Sequence, residues 1–162
     1  VGVAAAAAGA LAGFGVLRSE HASRVLQAAE FTDLEGKTRR LTEWRGKVLL
    51  CNFWATWCAP CREEIPMLVA LSKEMASKDV EIVGIAIDSA TKVAEFANEY
   101  KVSYPLLIAG PSGIDLMRAA GNQVGGLPYT AFLDRSGRIA YRTLGALKEV
   151  NVRDRLAEML RP

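Results

Sequence analysis

Short apolar runs alternate along this chain with longer segments in which apolar residues recur every three or four positions. The short runs are typical of buried strands, and the longer pattern is typical of amphipathic helices. The predicted strands are Phe31–Leu34, Thr38–Leu41, Val48–Trp54, Val80–Ile87, Leu106–Ile108, Tyr129–Leu133 and Ile139–Leu144. The predicted helices are Pro60–Ser77, with a kink at Pro66, and then Thr91–Tyr100, Gly113–Ala119 and Lys148–Leu160.

The order of these elements predicts an α/β fold. Strands that alternate with helices predict parallel pairing, with helices on the faces of the sheet. The turn Asp134-Arg135-Ser136-Gly137 predicts that the last two strands form an antiparallel hairpin. The sequence therefore predicts a mixed central β-sheet flanked by helices.

The first residues, Val1–Leu17, carry no charge. They have the length of a short membrane span, so we expect a signal or anchor segment, the alternative being an Ala-rich terminal helix. Residues 18–29 are expected to form a linker or short helix, and residues 30–162 a single domain. The net charge of +2 is small, and the basic residues are scattered along the sequence. A nucleic-acid partner requires a clustered basic face, so none is expected.

Two of the three cysteines, Cys58 and Cys61, lie at the predicted start of a helix, directly after a buried strand. The unpaired N–H groups and dipole of a helix N-terminus stabilise a thiolate, which is the attacking species in disulfide exchange. Cys61, one turn later, is placed to resolve a mixed disulfide. Trp57 is expected to shape the surface around Cys58, and Pro60 fits the first helical turn.

The sequence argues against three other functions for these cysteines, namely zinc binding, metal handling and peroxide reduction. Structural zinc requires four ligands, and only Cys51 and His21 remain to complete a site. A non-enzymatic metal-handling module lacks ligands for the same reason. A peroxiredoxin-like peroxide reductase would have a lone peroxidatic cysteine in place of this pair. No cofactor or metal is expected, and Cys51 is expected in the core because free cysteine is among the most buried residue types.

Two segments, Asn52–Pro66 and Gly126–Thr130, resemble the two motifs of the TlpA/ResA-like branch of the thioredoxin superfamily. The members of this branch are membrane-tethered thiol-disulfide proteins of bacteria. The similarity runs from about Phe31 to the C-terminus and implies a thioredoxin-like fold. It also implies a cis bond at Leu127-Pro128, which packs beside the dithiol and leaves the Leu127 backbone free to pair with a substrate peptide.

The resemblance also suggests that Glu64 is a proton acceptor near the cysteines. Glu64 follows Cys61 by three residues, so the two share one helix face. The alternative is a solvated carboxylate of the kind expected for Glu63. Thioredoxin itself has a buried Asp six residues before the first cysteine, whereas this chain has Asn52, which does not accept a proton.

The expected activity is therefore disulfide exchange with client proteins through Cys58 and Cys61. The protein is expected to act as a reductant supplied by a membrane or periplasmic electron donor. The resemblance suggests clients in cytochrome c maturation or cytochrome oxidase assembly. It also suggests a periplasmic or other extracytoplasmic location, with the N-terminal segment anchored in the inner membrane.

Overall fold

The computed structural model describes residues 17–161. Within this range, seven strands form one sheet in the order β2-β1-β5-β4-β3-β6-β7. The strands are β1 Phe31–Asp33, β2 Thr38–Arg39, β3 Val48–Trp54, β4 Val80–Ala86, β5 Leu106–Ile108, β6 Tyr129–Leu133 and β7 Ile139–Leu144. The helices are α1 over residues 17–28, α2 Ala59–Met75, α3 Ala90–Tyr100, α4 Gly113–Ala119 and α5 Glu149–Met159, with a 3-10 helix at Leu41–Trp44.

The sheet is mixed, as predicted. The central strand β3 pairs in parallel with β4, which pairs in parallel with β5. On the other side of β3, strand β6 is antiparallel, and β7 returns beside β6 as the predicted hairpin. The fold class is therefore the expected one, an α/β thioredoxin-like fold with helices flanking a mixed sheet.

Alternate side chains of β3 point to two separate cores, one on each face of the sheet. Leu50 and Trp54 pack in the core formed with α2, α3 and α5, whereas Leu49 and Phe53 pack in the core formed with α1 and α4. All residues of β3 are buried, which follows from helices covering both faces. This central position places the carboxyl end of β3, and the loop that follows, between the two layers.

The sequence predicts a linker or short helix for residues 18–29, and the structure has a helix there that packs on the domain. Leu26 is fully buried in the second core. Ser23 Oγ accepts a 3.0 Å hydrogen bond from the Ile139 N–H, and Gln27 Nε2 donates a 2.7 Å bond to the Gly137 carbonyl. Helix α1 is thus fastened to the β6–β7 hairpin.

The proposed anchor, Val1–Leu17, lies outside the described residues except for its last position. Leu17 belongs to α1, where it is exposed. Among residues 17–161, no helix has the length and apolar character needed to cross a membrane.

Two local features differ from the sequence prediction. Strand β2 ends at Arg39 because a 3-10 helix begins at Leu41, and the Glu43 carboxylate caps its start by accepting a 2.7 Å bond from the Arg40 N–H. Helix α2 runs from Ala59 to Met75, so it begins one residue earlier and ends two residues earlier than predicted, with Pro66 inside it. The cysteine-bearing end of α2 is therefore continuous with a long, well-packed helix.

Candidate active site

The dithiol lies where β3 passes into α2. Cys58 is the N-cap residue of α2 and is joined to Cys61 by a disulfide, with Cα atoms 5.3 Å apart. The Cys61 N–H donates a hydrogen bond to Cys58 Sγ at 3.4 Å. A backbone donor at a helix N-terminus stabilises negative charge. The same geometry therefore favours a thiolate on Cys58 once the disulfide is reduced.

The two sulfur-bearing residues differ in their surroundings. Cys61 is fully buried, whereas Cys58 keeps 6% of its surface exposed. Around Cys58, the residues Trp57, Ala59 and Pro60 are exposed. Cys58 is therefore the more accessible of the two residues of the disulfide.

Glu64 lies on the buried face of α2, one turn beyond Cys61, and is only 4% exposed. Its Oε1 accepts a 2.7 Å hydrogen bond from Asn52 Nδ2, and its Oε2 accepts a 2.7 Å bond from the Leu147 N–H. Burial raises the pKa of Glu64, and these two hydrogen bonds oppose that rise only in part. The description of a solvated carboxylate fits the exposed Glu63 and does not fit Glu64.

Asn52 connects Glu64 to the neighbouring strand. Its Nδ2 also donates a 3.1 Å bond to Thr130 Oγ1, and Asn52 and Thr130 are register partners between β3 and β6. Asn52 Oδ1 is buried and has no hydrogen-bond partner among residues 17–161. The sequence identified Asn52 only as a position without a proton acceptor, and it gave no indication of Thr130 or Leu147 as members of this polar cluster.

The Leu127-Pro128 peptide bond is cis, as the resemblance implies. Because β6 runs antiparallel to β3, its first residue, Tyr129, lies opposite Phe53 near the carboxyl end of β3. Leu127 packs against the core cluster that contains both active-site cysteines. The N–H and carbonyl of Leu127 have no hydrogen-bond partner within the described part of the chain.

Sequence reasoning missed one carboxylate that supports the loop before Cys58. Both the N–H and the hydroxyl of Thr56 donate to Asp88 Oδ2, at 3.3 and 2.5 Å, and the Ser89 N–H donates to Asp88 Oδ1 at 2.8 Å. Burial raises the pKa of Asp88, but these hydrogen bonds outweigh burial and leave it below the ordinary value. In the sequence, the sign of this role is that Asp88 is an acidic residue directly after the predicted buried strand Val80–Ile87.

The third cysteine is separate from this site. Cys51 is buried as predicted, and it packs in the core on the opposite face of the sheet from Cys58 and Cys61. Burial strongly raises the pKa of the Cys51 thiol, so it remains protonated.

A redox-active dithiol at a helix N-terminus, beside a cis-proline loop in this fold, defines the class of thiol-disulfide oxidoreductases. The chain belongs to the Redoxin family, whose profile matches residues 21–159. It is 32% identical over 132 residues to the thiol-disulfide oxidoreductase ResA of Geobacillus thermodenitrificans, covering 81% of this chain and 73% of that protein.

Two further comparisons agree with this assignment. ResA of Bacillus thuringiensis is 35% identical over 115 residues, which are 70% of this chain and 64% of that protein, so this alignment spans less than two thirds of its length. The crystal structure of a thiol:disulfide interchange protein from Chlorobium tepidum, of the thioredoxin family, superposes with a TM-score of 0.73. That structure is 27% identical and covers 82% of this chain and 93% of its own.

Proposed function

We propose that this protein reduces disulfides of extracytoplasmic client proteins, with Cys58 as nucleophile, Cys61 as resolving thiol and Glu64 as proton acceptor. The observation that carries the proposal is the position of Cys58 at the N-cap of α2, with the Cys61 N–H directed at its sulfur. This arrangement supports a low-pKa attacking thiol followed by a buried second thiol.

In the proposed reaction, the Cys58 thiolate attacks one sulfur of the client disulfide. An S–S bond forms between Cys58 and the client, and the second client sulfur leaves as a thiolate that takes up a proton. Cys61 then gives its proton to Glu64 and attacks Cys58 Sγ, and the first client sulfur leaves as a thiolate that takes up a proton. Two electrons pass to the client, and the protein is left with the Cys58–Cys61 disulfide.

Glu64 is proposed to take the proton from Cys61. Cys61 is fully buried, and burial raises a thiol's pKa, so resolution needs a nearby base. Residues three apart on a helix are neighbours, which supports proton transfer from Cys61 to Glu64, either directly or through one water molecule. The raised pKa of Glu64 brings it closer to that of a thiol, which suits proton exchange between the two.

Client contact is proposed for Trp57, Pro60, Leu127 and Pro128. Trp57 and Pro60 are exposed on either side of Cys58 and offer apolar surface. The unpaired N–H and carbonyl of Leu127 suit pairing with an extended client backbone, in the way that a strand is added to a sheet edge. Pro128 turns the chain at that point.

The proposed direction, from protein to client, depends on the balance between the two cysteines. A dithiol becomes a stronger oxidant as its thiolates are more strongly stabilised, because that stabilises the reduced form. The helix N-terminus at Cys58 acts in that direction, whereas the burial of Cys61 and the buried Glu64 one turn away disfavour a second thiolate. The resemblance to TlpA/ResA-like proteins favours the reducing direction, which needs its own electron donor in the membrane or the periplasm.

The resemblance to TlpA/ResA-like proteins supports the remaining parts of the proposal. They are a periplasmic or other extracytoplasmic location, anchoring in the inner membrane through Val1–Leu17, and clients in cytochrome c maturation or cytochrome oxidase assembly.

A glutathione redox titration tests the direction of electron flow. Tryptophan fluorescence or thiol alkylation would report the fraction of oxidised Cys58–Cys61 across a series of glutathione buffers. We expect a midpoint potential below about −230 mV, in the range of reducing dithiols rather than of oxidants near −120 mV. A midpoint near that of the oxidants would contradict the reductant assignment and leave the exchange activity in place.

A further inference from the structure

A cleft of about 320 Å³ lies beside the cis-proline loop. Two exposed apolar side chains line it, Val124 at 73% and Leu144 at 53% exposure, together with Gly121, Asn122 and Gln123. Tyr129 and Arg142 also line it. This volume is at the lower end of those that hold small ligands, so the cleft suits one large side chain.

Gly126 lies against the two apolar side chains of this cleft. A Cβ atom on Gly126 would lie 3.2 Å from Leu144 Cδ1 and 3.9 Å from Val124 Cγ2, so both walls come close to the backbone at this point. The next residue is Leu127, whose backbone groups are unpaired. Strand residues advance by about 3.3 Å, so a peptide paired with Leu127 passes the cleft within one or two residues.

We propose that this cleft binds an apolar side chain of the client protein, carried by an extended segment next to the cysteine under attack. The inference rests on the proposed function, because the same client segment must pair with Leu127. Val124 and Leu144 would then be specificity-determining residues that favour clients with Leu, Ile, Val or Met near the target cysteine.

The charge of Arg142 favours a client over a second copy of this chain. Within residues 17–161, Arg142 donates hydrogen bonds to the Ala120 carbonyl and to Ser19 Oγ but forms no ion pair with a carboxylate. In a symmetric dimer the same patch meets itself, so two Arg142 side chains would approach each other. That repulsion is absent when a neutral or acidic client segment fills the cleft.

Two synthetic peptides test the proposal with the full chain. Each carries one cysteine as a mixed disulfide with glutathione, and they differ only in having Leu or Ser two residues before and two residues after that cysteine. We expect reduced wild-type protein to reduce the Leu peptide about fivefold to tenfold faster, which is the discrimination that a small apolar site provides. The double variant Val124→Ser/Leu144→Ser should bring this ratio below about twofold.

Val150→Ser is the matched control, because Val150 is also exposed, at 62%, but lies on α5 and does not line the cleft. It should keep the wild-type ratio. If the double variant fails to fold by circular dichroism, the single change Val124→Ser at the more exposed wall carries the test.

Three outcomes would overturn the inference. They are a wild-type ratio near one, a ratio that survives the cleft substitutions, and a wild-type dimer in sedimentation that Val124→Ser dissociates. If wild-type protein reduces neither peptide, the proposed function fails instead, so the two failures are distinguishable.

Discussion

The Asn52 side-chain amide donates a 2.7 Å hydrogen bond to Glu64 Oε1 from a position with no solvent exposure. An amide can present either a donor or, after a half-turn, an acceptor. Asn52 can therefore pair with Glu64 both as a carboxylate and as a protonated acid. If Asp replaced Asn52 in this chain, a second carboxyl group would lie within hydrogen-bond distance of Glu64. The Asn52–Glu64 pair leaves one group, Glu64, to carry the proton.

Replacing Glu64 by Gln should slow resolution of the mixed disulfide and change its pH dependence. Gln keeps the shape of the side chain but accepts no proton, and general base catalysis contributes about a hundredfold or more. We expect a loss of about tenfold or more at neutral pH, measured by stopped-flow over a pH series. Glu63→Gln, an exposed neighbour on the same helix, should keep the wild-type profile. Superimposable profiles for all three proteins would show that Glu64 has no part in proton transfer.

The free energy of unfolding should fall as the pH rises, because folding raises the pKa of Glu64. Its pKa in the folded protein is raised from the ordinary value of 4.5, so the folded state holds this proton more tightly than the unfolded state. The resulting stabilisation is complete below pH 4.5 and is lost as the pH rises through the folded pKa, by about 1.4 kcal/mol for each unit of difference. Chemical denaturation should therefore show wild type losing stability relative to Glu64→Gln over this window. A constant difference between them would mean that the Glu64 pKa is not raised by folding.

Asn52→Asp should place two carboxyl groups within hydrogen-bond distance in a buried site. Like charges this close cannot both ionise without cost, so one pKa of the pair rises strongly. We expect the variant to lose about 1–3 kcal/mol of unfolding free energy at pH 7 and to recover most of it near pH 4. Asn52→Leu, which removes the hydrogen bonds without adding charge, should show a loss that varies much less with pH. Equal pH dependence in the two variants would count against the buried pair.

Cys51 should remain unreactive in the native protein. It is fully buried, and burial raises its pKa, so almost no thiolate is present for alkylation. After reduction, mass spectrometry should find that iodoacetamide modifies Cys58 quickly and never modifies Cys51 in folded protein. In denaturant all three cysteines should react. Rapid native labelling of Cys51 would show that the core opposite the active site opens readily.

The elements that depend on the local pattern of apolar and polar residues could be predicted from the sequence. Strand β3 and the position of Cys58 at the start of α2 follow from an apolar run, a strand-to-helix transition and Pro60. The cis bond at Leu127-Pro128 followed from the resemblance, since base rates alone favour trans.

The contacts that fix the electrostatics of the site were beyond such prediction. The Leu147 N–H meets Glu64 across 83 residues of sequence, and Asp88 meets Thr56 across 32. Such contacts depend on how the loops after β7 and β4 close over the end of the sheet. Similarly, the polar sequence of α1 gave little sign that Leu26 completes a core, because two buried apolar positions, Ala22 and Leu26, make a weak periodic signal in a short segment.

Trapping of the mixed disulfide distinguishes the attacking thiol, Cys58, from the resolving thiol, Cys61. Reduced Cys61→Ser and Cys58→Ser variants would each be incubated with a disulfide-bearing peptide and analysed by intact mass after acid quenching. We expect Cys61→Ser to accumulate the covalent peptide adduct on Cys58, because the more accessible thiol remains and the resolving thiol is gone. Accumulation on Cys61 in the Cys58→Ser variant, with none in Cys61→Ser, would contradict this assignment.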